Sequence, residues 1–326
     1  MLGIRNTKRF AVLSALLCLV VASVTASAQA GHFKSSDVTT VTSANGHLLF
    51  NGVPRIPIMA AVGGCPDAAS VDSNVFLGVA VLEGSVNACG GPAGPSARLH
   101  EMLSGKVLWR QTRPSSESNF PELLNWQASA DVYYSPFLVG CSAHTAAPMF
   151  DAIQKLVGAQ PVVSQIILRD ELGPGQKNCL TPSGLGVLFW TSIVGGAAGI
   201  EYSTDLPWND TKGFSVNAAL LPQAKKQAGQ LTTLQPAILA GRRLPVTTAS
   251  SLVKATAWLY KGAAYLVAVN TSDQPTAVNL SFRGMKISSA KLMWEKQKVK
   301  VVRGIIPAHF TSLATHIYKL VVIKKK

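Results

Sequence analysis

Thr181–Thr204, TPSGLGVLFWTSIVGGAAGIEYST, decides the fold. Leu185, Leu188, Phe189, Ser192 and Ile193 fall at helical spacing, and Gly195-Gly196 then ends the helical pattern. Gly199-Ile200-Glu201-Tyr202-Ser203 follows as a short buried strand. Helix feeding strand through small residues is half of a βα unit, in which strands present side chains at their C-terminal ends. More such units are therefore expected upstream.

Working outward, continuous apolar runs bounded by turn residues predict strands at 56–62, 77–82, 106–111, 130–136 and 161–168, six with 199–203. Helical patterns lie at 97–103, 121–127 and 149–157, and Pro66-Asp67 reads as a helix start. A short hairpin is expected over 48–54. Alternating strands and helices imply a parallel α/β sheet; eight strands would close a barrel, and six fall short by two. A longer amphipathic helix from Phe214 is expected to stop at Pro236. Beyond Gly241 the period becomes two, with turns at Lys261-Gly262 and Asp273-Gln274-Pro275, which predicts a small antiparallel β-sandwich.

The chain has 326 residues, 48% hydrophobic and 14% charged, so it can bury one large core or two modest ones, and disorder is not expected for most of it. Residues 1–30 read as a secretory signal: Arg5, Lys8 and Arg9, an apolar segment over Phe10–Val24, and Ala28-Gln29-Ala30 as the cleavage site. The alternative, an uncleaved anchor, is opposed by the shortness of that segment; no other stretch is apolar enough to span a bilayer. Cleavage removes three positive charges from a formal net +14. The remaining basic excess suits an anionic envelope or acidic polysaccharide, or serves solubility. Nucleic acid is not expected, because Lys and Arg are scattered apart from 291–303 and the Lys324-Lys325-Lys326 tail.

Four cysteines remain after Cys18 leaves with the signal: Cys65, Cys89, Cys141 and Cys179, an even number for an oxidising compartment. Of three connectivities, Cys65–Cys89 with Cys141–Cys179 joins near neighbours. No metal or cofactor is expected: Cys-x-x-Cys spacing is absent, and His47, His100, His144, His309 and His316 are dispersed. There is no Gly-x-Ser-x-Gly elbow, and the prolines in Gly90–Pro95 remove the amide donors a phosphate loop needs. The resulting division is a signal over 1–30, a (β/α) domain over 31–240 and a β-sandwich over 241–326.

Gly195–Tyr202 resembles the last barrel strand of β-galactosidase-like glycoside hydrolases, which have a TIM barrel followed by a β-sandwich. Asn51-Gly52-x-Pro54 with Ile56-Pro57-Ile58 looks like their first strand. Ala130-Asp131-Val132-Tyr133 with Pro136, and Pro161-Val162-Val163, look like later ones. Trp294-Glu295 through His316–Leu320 is similar to their closing sandwich strands. The resemblance implies a TIM-barrel-like (β/α) domain, shortened, and retaining hydrolysis by two carboxylates about 5 Å apart. The family's Asp-Glu-Pro or Asn-Glu-Pro acid/base motif does not occur in this sequence.

Acids at strand ends are the candidates. Glu83 follows the strand over 77–82, and Asp170 and Glu171 follow the strand over 161–168, where the resemblance places a nucleophile. Adjacent side chains of an extended segment point oppositely, so only one of that pair faces a barrel axis. Glu201, inside its strand, faces either the lumen or a buried partner, and Asp205 is a sugar-hydroxyl acceptor. Asp131 reads as structural. Trp208, Tyr134 and Trp109 are candidates to stack on sugar faces, whereas Trp190 reads as core. The expectation is thus Glu171 or Asp170 as nucleophile and Glu83 or Glu201 as proton donor on a carbohydrate. The alternative is an inactive relative that binds polysaccharide.

Overall fold

Two Asn-Gly turns shape the first strands. The computed structural model describes residues 41–61, 110–111, 133–134, 150, 153, 158, 160–168, 171–173, 176–177, 179–203, 219–297 and 299–324. Strands β1 (Val41–Ala44), β2 (His47–Phe50) and β3 (Val53–Arg55) form an antiparallel ribbon. Asn51 and Gly52 both take positive φ, 52° and 77°, as a two-residue hairpin turn requires, so the expected hairpin is present.

The next strands are β4 (Ile58–Ala61), β5 (Arg110–Gln111), β6 (Tyr133–Tyr134) and β7 (Val162–Ile167). A hairpin of β8 (Glu171–Gly173) and β9 (Gln176–Lys177) precedes helix α1 (Pro182–Gly195) and strand β10 (Gly199–Ser203). One sheet has the order β4-β10-β7-β6-β5, with every pairing parallel. Five of the six expected parallel strands are in it; the sixth, over 77–82, lies outside the described residues, as do the helices over 97–103 and 121–127. Phe150 and Ile153 are helical and buried, in the helix expected over 149–157. β10, last of these strands in the chain, bonds to β4, the first. The two common doubly wound strand orders leave the final strand at an edge, whereas a (β/α) barrel pairs its last strand with its first.

Thr181 opens α1: its hydroxyl oxygen accepts the Gly184 amide at 3.0 Å, and Pro182 occupies the first turn, where a missing N–H is harmless. Gly196 closes it at φ 102°, donating its amide to the Ile193 carbonyl at 3.1 Å. Helical spacing suggests one buried stripe, yet Gly184 to Val194 are all buried. The reason is tertiary. One side of α1 packs on β7 and β10, and the other is covered by the C-terminal sheet, whose Trp258, Val267, Val269 and Ile317 join the same core.

Helix α2 (Leu221–Ala240) corrects the expectation of a stop at Pro236, since the helix continues through it for another turn. The carbonyl that Pro236 leaves unbonded belongs to Thr232, which is exposed, so water can serve it. Leu234 and Ala237 are buried against the core, and Gln235 accepts the Ile56 amide at 3.1 Å. These contacts hold the last turn in place.

Beyond Gly241 come β11 (Arg242–Leu244), β12 (Val246–Thr247), β13 (Val253–Tyr260), β14 (Ala263–Asn270), β15 (Thr276–Phe282), β16 (Met285–Leu292), β17 (Ile306–Phe310) and β18 (Thr315–Lys324). They form two antiparallel sheets, β11-β13-β14-β18-β16 and β12-β15-β17. Leu266, Ala268 and Leu320 of the first share a core with Leu280, Phe282 and Phe310 of the second, which makes a sandwich. Alternation on β14 sends Leu266 and Ala268 into the sandwich and Val267 and Val269 toward the helices. Arg243 ties the two regions together, donating to the Val194 carbonyl at 2.8 Å.

His316 on β18 gives stability a pH dependence. It stacks on Phe310 with ring centroids 4.5 Å apart, and its Nδ1 lies 3.1 Å from the Tyr318 hydroxyl. Burial lowers its pKa below 6.5, outweighing Glu295, which raises it; burial lowers His47 likewise. The unfolded chain then takes up protons first, so stability is full above pH 6.5 and falls as pH drops through that value. Urea titrations at pH 7.5 and 5.5 are expected to show a lower midpoint at 5.5, with a smaller difference in His316→Gln. An equal midpoint at both values would contradict this.

Candidate functional site

Strand alternation assigns two faces to the parallel sheet. Ser164 of β7 lies 2.7 Å from the Ser192 hydroxyl of α1, and Tyr202 of β10 donates to Gln227 of α2 at 3.1 Å. Tyr202 also stacks with Phe189, centroids 6.5 Å apart. These residues therefore face the helices, together with Ile58, Ile166 and Ile200. Burial pushes the Tyr202 pKa strongly upward, so its hydroxyl stays protonated as a donor.

Glu201, between Ile200 and Tyr202, faces the opposite way. It is 1% exposed, and its Oε1 accepts the Gln165 side-chain amide at 2.6 Å. Gln165, itself buried, is its register partner on β7, and Met59 is its partner on β4. The question left open by the sequence is answered on both counts: Glu201 is on the face turned from the helices, and it has a buried partner. A carboxyl taken out of water needs such a donor, and the short bond fixes its orientation. A carboxyl so held on the helix-averted face of a parallel sheet has the chemistry for proton transfer or nucleophilic attack.

The other candidates are less fully described. Glu171 begins β8, in backbone register with Lys177 of β9, so this strand belongs to a hairpin and not to the parallel sheet. Tyr134 on β6 is in register with Val163 of β7, two positions before Gln165. Asp170, Glu83, Asp205, Trp208 and Trp109 lie outside the described residues, as do Cys65, Cys89, Cys141 and Asp131. Cys179 is exposed and disulfide-bonded, and its partner lies outside them too. Trp190 is core as read, buried and edge-on to Phe189 at 5.1 Å. Among the described residues no three His, Cys, Asp or Glu side chains gather as a metal site would need, and no helix is long and apolar enough to cross a membrane.

Sequence reasoning missed Gln165. Its signal was available: within Val162–Leu168 the period of two places Gln165 on the face opposite Ser164 and Ile166. What the sequence lacks is the register that sets it beside Glu201.

No family model and no curated protein matches the chain. Solved structures similar to it include an α-amylase from Anoxybacillus, at 14% identity and TM-score 0.43 over 72% of this chain and 55% of that one. A GH27 β-L-arabinopyranosidase from Geobacillus stearothermophilus is similar at 12% identity and TM-score 0.43, over 82% and 58%. A GH30 endoxylanase from Clostridium papyrosolvens has 11% identity and TM-score 0.35, over 88% of this chain and 100% of that chain. The chain thus spans little more than half the length of the first two. All three are glycoside hydrolases by description, at low identity, and none is a β-galactosidase.

Proposed function

We propose that the chain is a glycoside-hydrolase-like protein with a shortened TIM-barrel-like (β/α) domain and a C-terminal sandwich, acting on a carbohydrate with Glu201 as its acid/base. The observation that supports this reading most is the Glu201 carboxyl, held by Gln165 on the helix-averted face of the strand that bonds to the first. In a retaining mechanism Glu201 protonates the leaving oxygen while Asp170 or Glu171, its carboxyl about 5 Å from that of Glu201, attacks the anomeric carbon; water deprotonated by Glu201 then hydrolyses the glycosyl-enzyme. Glu83 is the alternative donor. Asp205, Trp208, Tyr134 and Trp109 bind the substrate. Export through residues 1–30 and the pairings Cys65–Cys89 and Cys141–Cys179 belong to the same proposal.

A second reading, a non-catalytic polysaccharide binder, is favoured by one residue: the position facing Glu201 holds an amide, so that pair supplies only one carboxyl. Hydrolysis of an aryl glycoside panel by the parent and by Glu201→Gln separates the two. The enzymatic reading predicts turnover by the parent and, on panel members whose leaving group needs a proton, a loss of ~100- to 10,000-fold in kcat/KM in the variant, the range for a general acid/base. No turnover on any glycoside, with polysaccharide binding retained, supports the second reading.

A further inference from the structure

On the other side of the helices lies a cleft of about 220 Å³ between α1, α2 and the sandwich. Trp190 and Gly186 form part of its α1 wall, Gln223 and Lys226 belong to α2, and Trp294 and Glu295 come from the loop after β16. Leu313 of the lining also has a left-handed backbone, at φ 47°, and Trp294 combines one with exposure. It is 49% exposed and takes φ 62°, a left-handed conformation that disfavours a bulky side chain. Backbone preference does not account for an indole there, and strain of this kind is typically kept where a side chain serves a ligand.

The cleft's chemistry narrows the ligand. Lys226 and Glu295 have opposite charges, so a single ionic group is not selected. Gln223 offers both a donor and an acceptor, which suits hydroxyls that do the same. Gly186 leaves that amide room, since a Cβ there would sit 3.1 Å from the Gln223 Nε2. An indole lining the same cleft as these polar groups offers a partner for the C–H face of a sugar ring. The volume is below the ~300–1,000 Å³ of drug-sized sites, enough for one ring with the remainder of an oligosaccharide outside.

We infer that this cleft is a second carbohydrate-binding site, taking one neutral sugar residue against Trp294. The sheet and α1 separate it from Glu201, so it anchors glycan without taking part in catalysis and stands whether or not Glu201 is catalytic.

Calorimetric and fluorescence titrations with maltotriose, xylotriose and L-arabinose test it, with glucuronate and glucosamine as charged controls. At least one neutral sugar is expected to bind saturably. Trp294→Gly, which removes the indole and suits the positive φ, is expected to weaken binding at least ~tenfold, as loss of about 1.4 kcal/mol does, with an unfolding temperature equal to or above the parent's. Gln223→Leu is expected to weaken binding too, and Glu201→Gln to leave it unchanged. Saturable binding of no neutral sugar, tighter binding of a charged control, or parental affinity in Trp294→Gly would each overturn the inference.

Discussion

Phe189→Ala is expected to lower the unfolding free energy by about 3–5 kcal/mol, the range for removing a fully buried phenylalanine. The side chain is 0% exposed, lies edge-on to Trp190 at 5.1 Å and stacks with Tyr202 at 6.5 Å. Its helix is held between two sheets, so neither side can collapse into the space left behind. Burial of α1 on every face is what makes the loss large. Were α1 a surface helix with one buried stripe, the cavity would be partly refilled by solvent and relaxation. Urea denaturation monitored by circular dichroism measures the change; a loss below about 1 kcal/mol, typical of surface substitutions, would contradict the packing described.

Gly241→Ala has the second large effect. A Cβ at this position would meet the Ala237 carbonyl oxygen and the Trp258 Cβ, the latter at 3.0 Å. The φ of −81° is ordinary for any residue, so the penalty is steric and not conformational. The Ala237 oxygen also accepts the Gly241 amide at 2.9 Å, which closes α2, and moving it opens that bond. Overpacking of this kind costs about 1–3 kcal/mol, and a contact to backbone belongs at the upper end. Gly229→Ala, on the exposed side of α2 with nothing within 4 Å of its new Cβ, is the control. It is expected to stabilise by about 0.5–1 kcal/mol, since alanine is the better helix former. Equal effects of the two substitutions would contradict the close approach of α2 to β13.

These two sites show where sequence reading works and where it stops. Thr181, Pro182 and Gly196 are local signals, and each occupies the cap or turn that its chemistry favours. Asn51-Gly52 and Lys261-Gly262 likewise mark real turns. The strand over 161–168 was legible from its apolar run, and period two on β10 separates Glu201 from Ile200 and Tyr202. Burial of α1 on its second side was not legible, because Val267 and Val269, far along the chain, supply that cover. Pro236 misled for a related reason: Leu234, Gln235 and Ala237 hold the helix through it by tertiary contacts. Gln165 and Glu201 are 36 residues apart, and only strand register brings them together. Trp294 was read with the closing sandwich strands, whereas it lies in the bend after β16 with a left-handed backbone that no local pattern announces.

The central claim, that Glu201 donates a proton to a leaving glycosidic oxygen, is tested most directly by leaving-group dependence. Kinetics of parent and Glu201→Gln are compared on a 2,4-dinitrophenyl glycoside, which departs without a proton, and on the methyl glycoside of the same sugar, which cannot. The account predicts a loss of ~100- to 10,000-fold in kcat/KM on the methyl glycoside and little change on the dinitrophenyl one. An equal loss on both, or none on either, would contradict it.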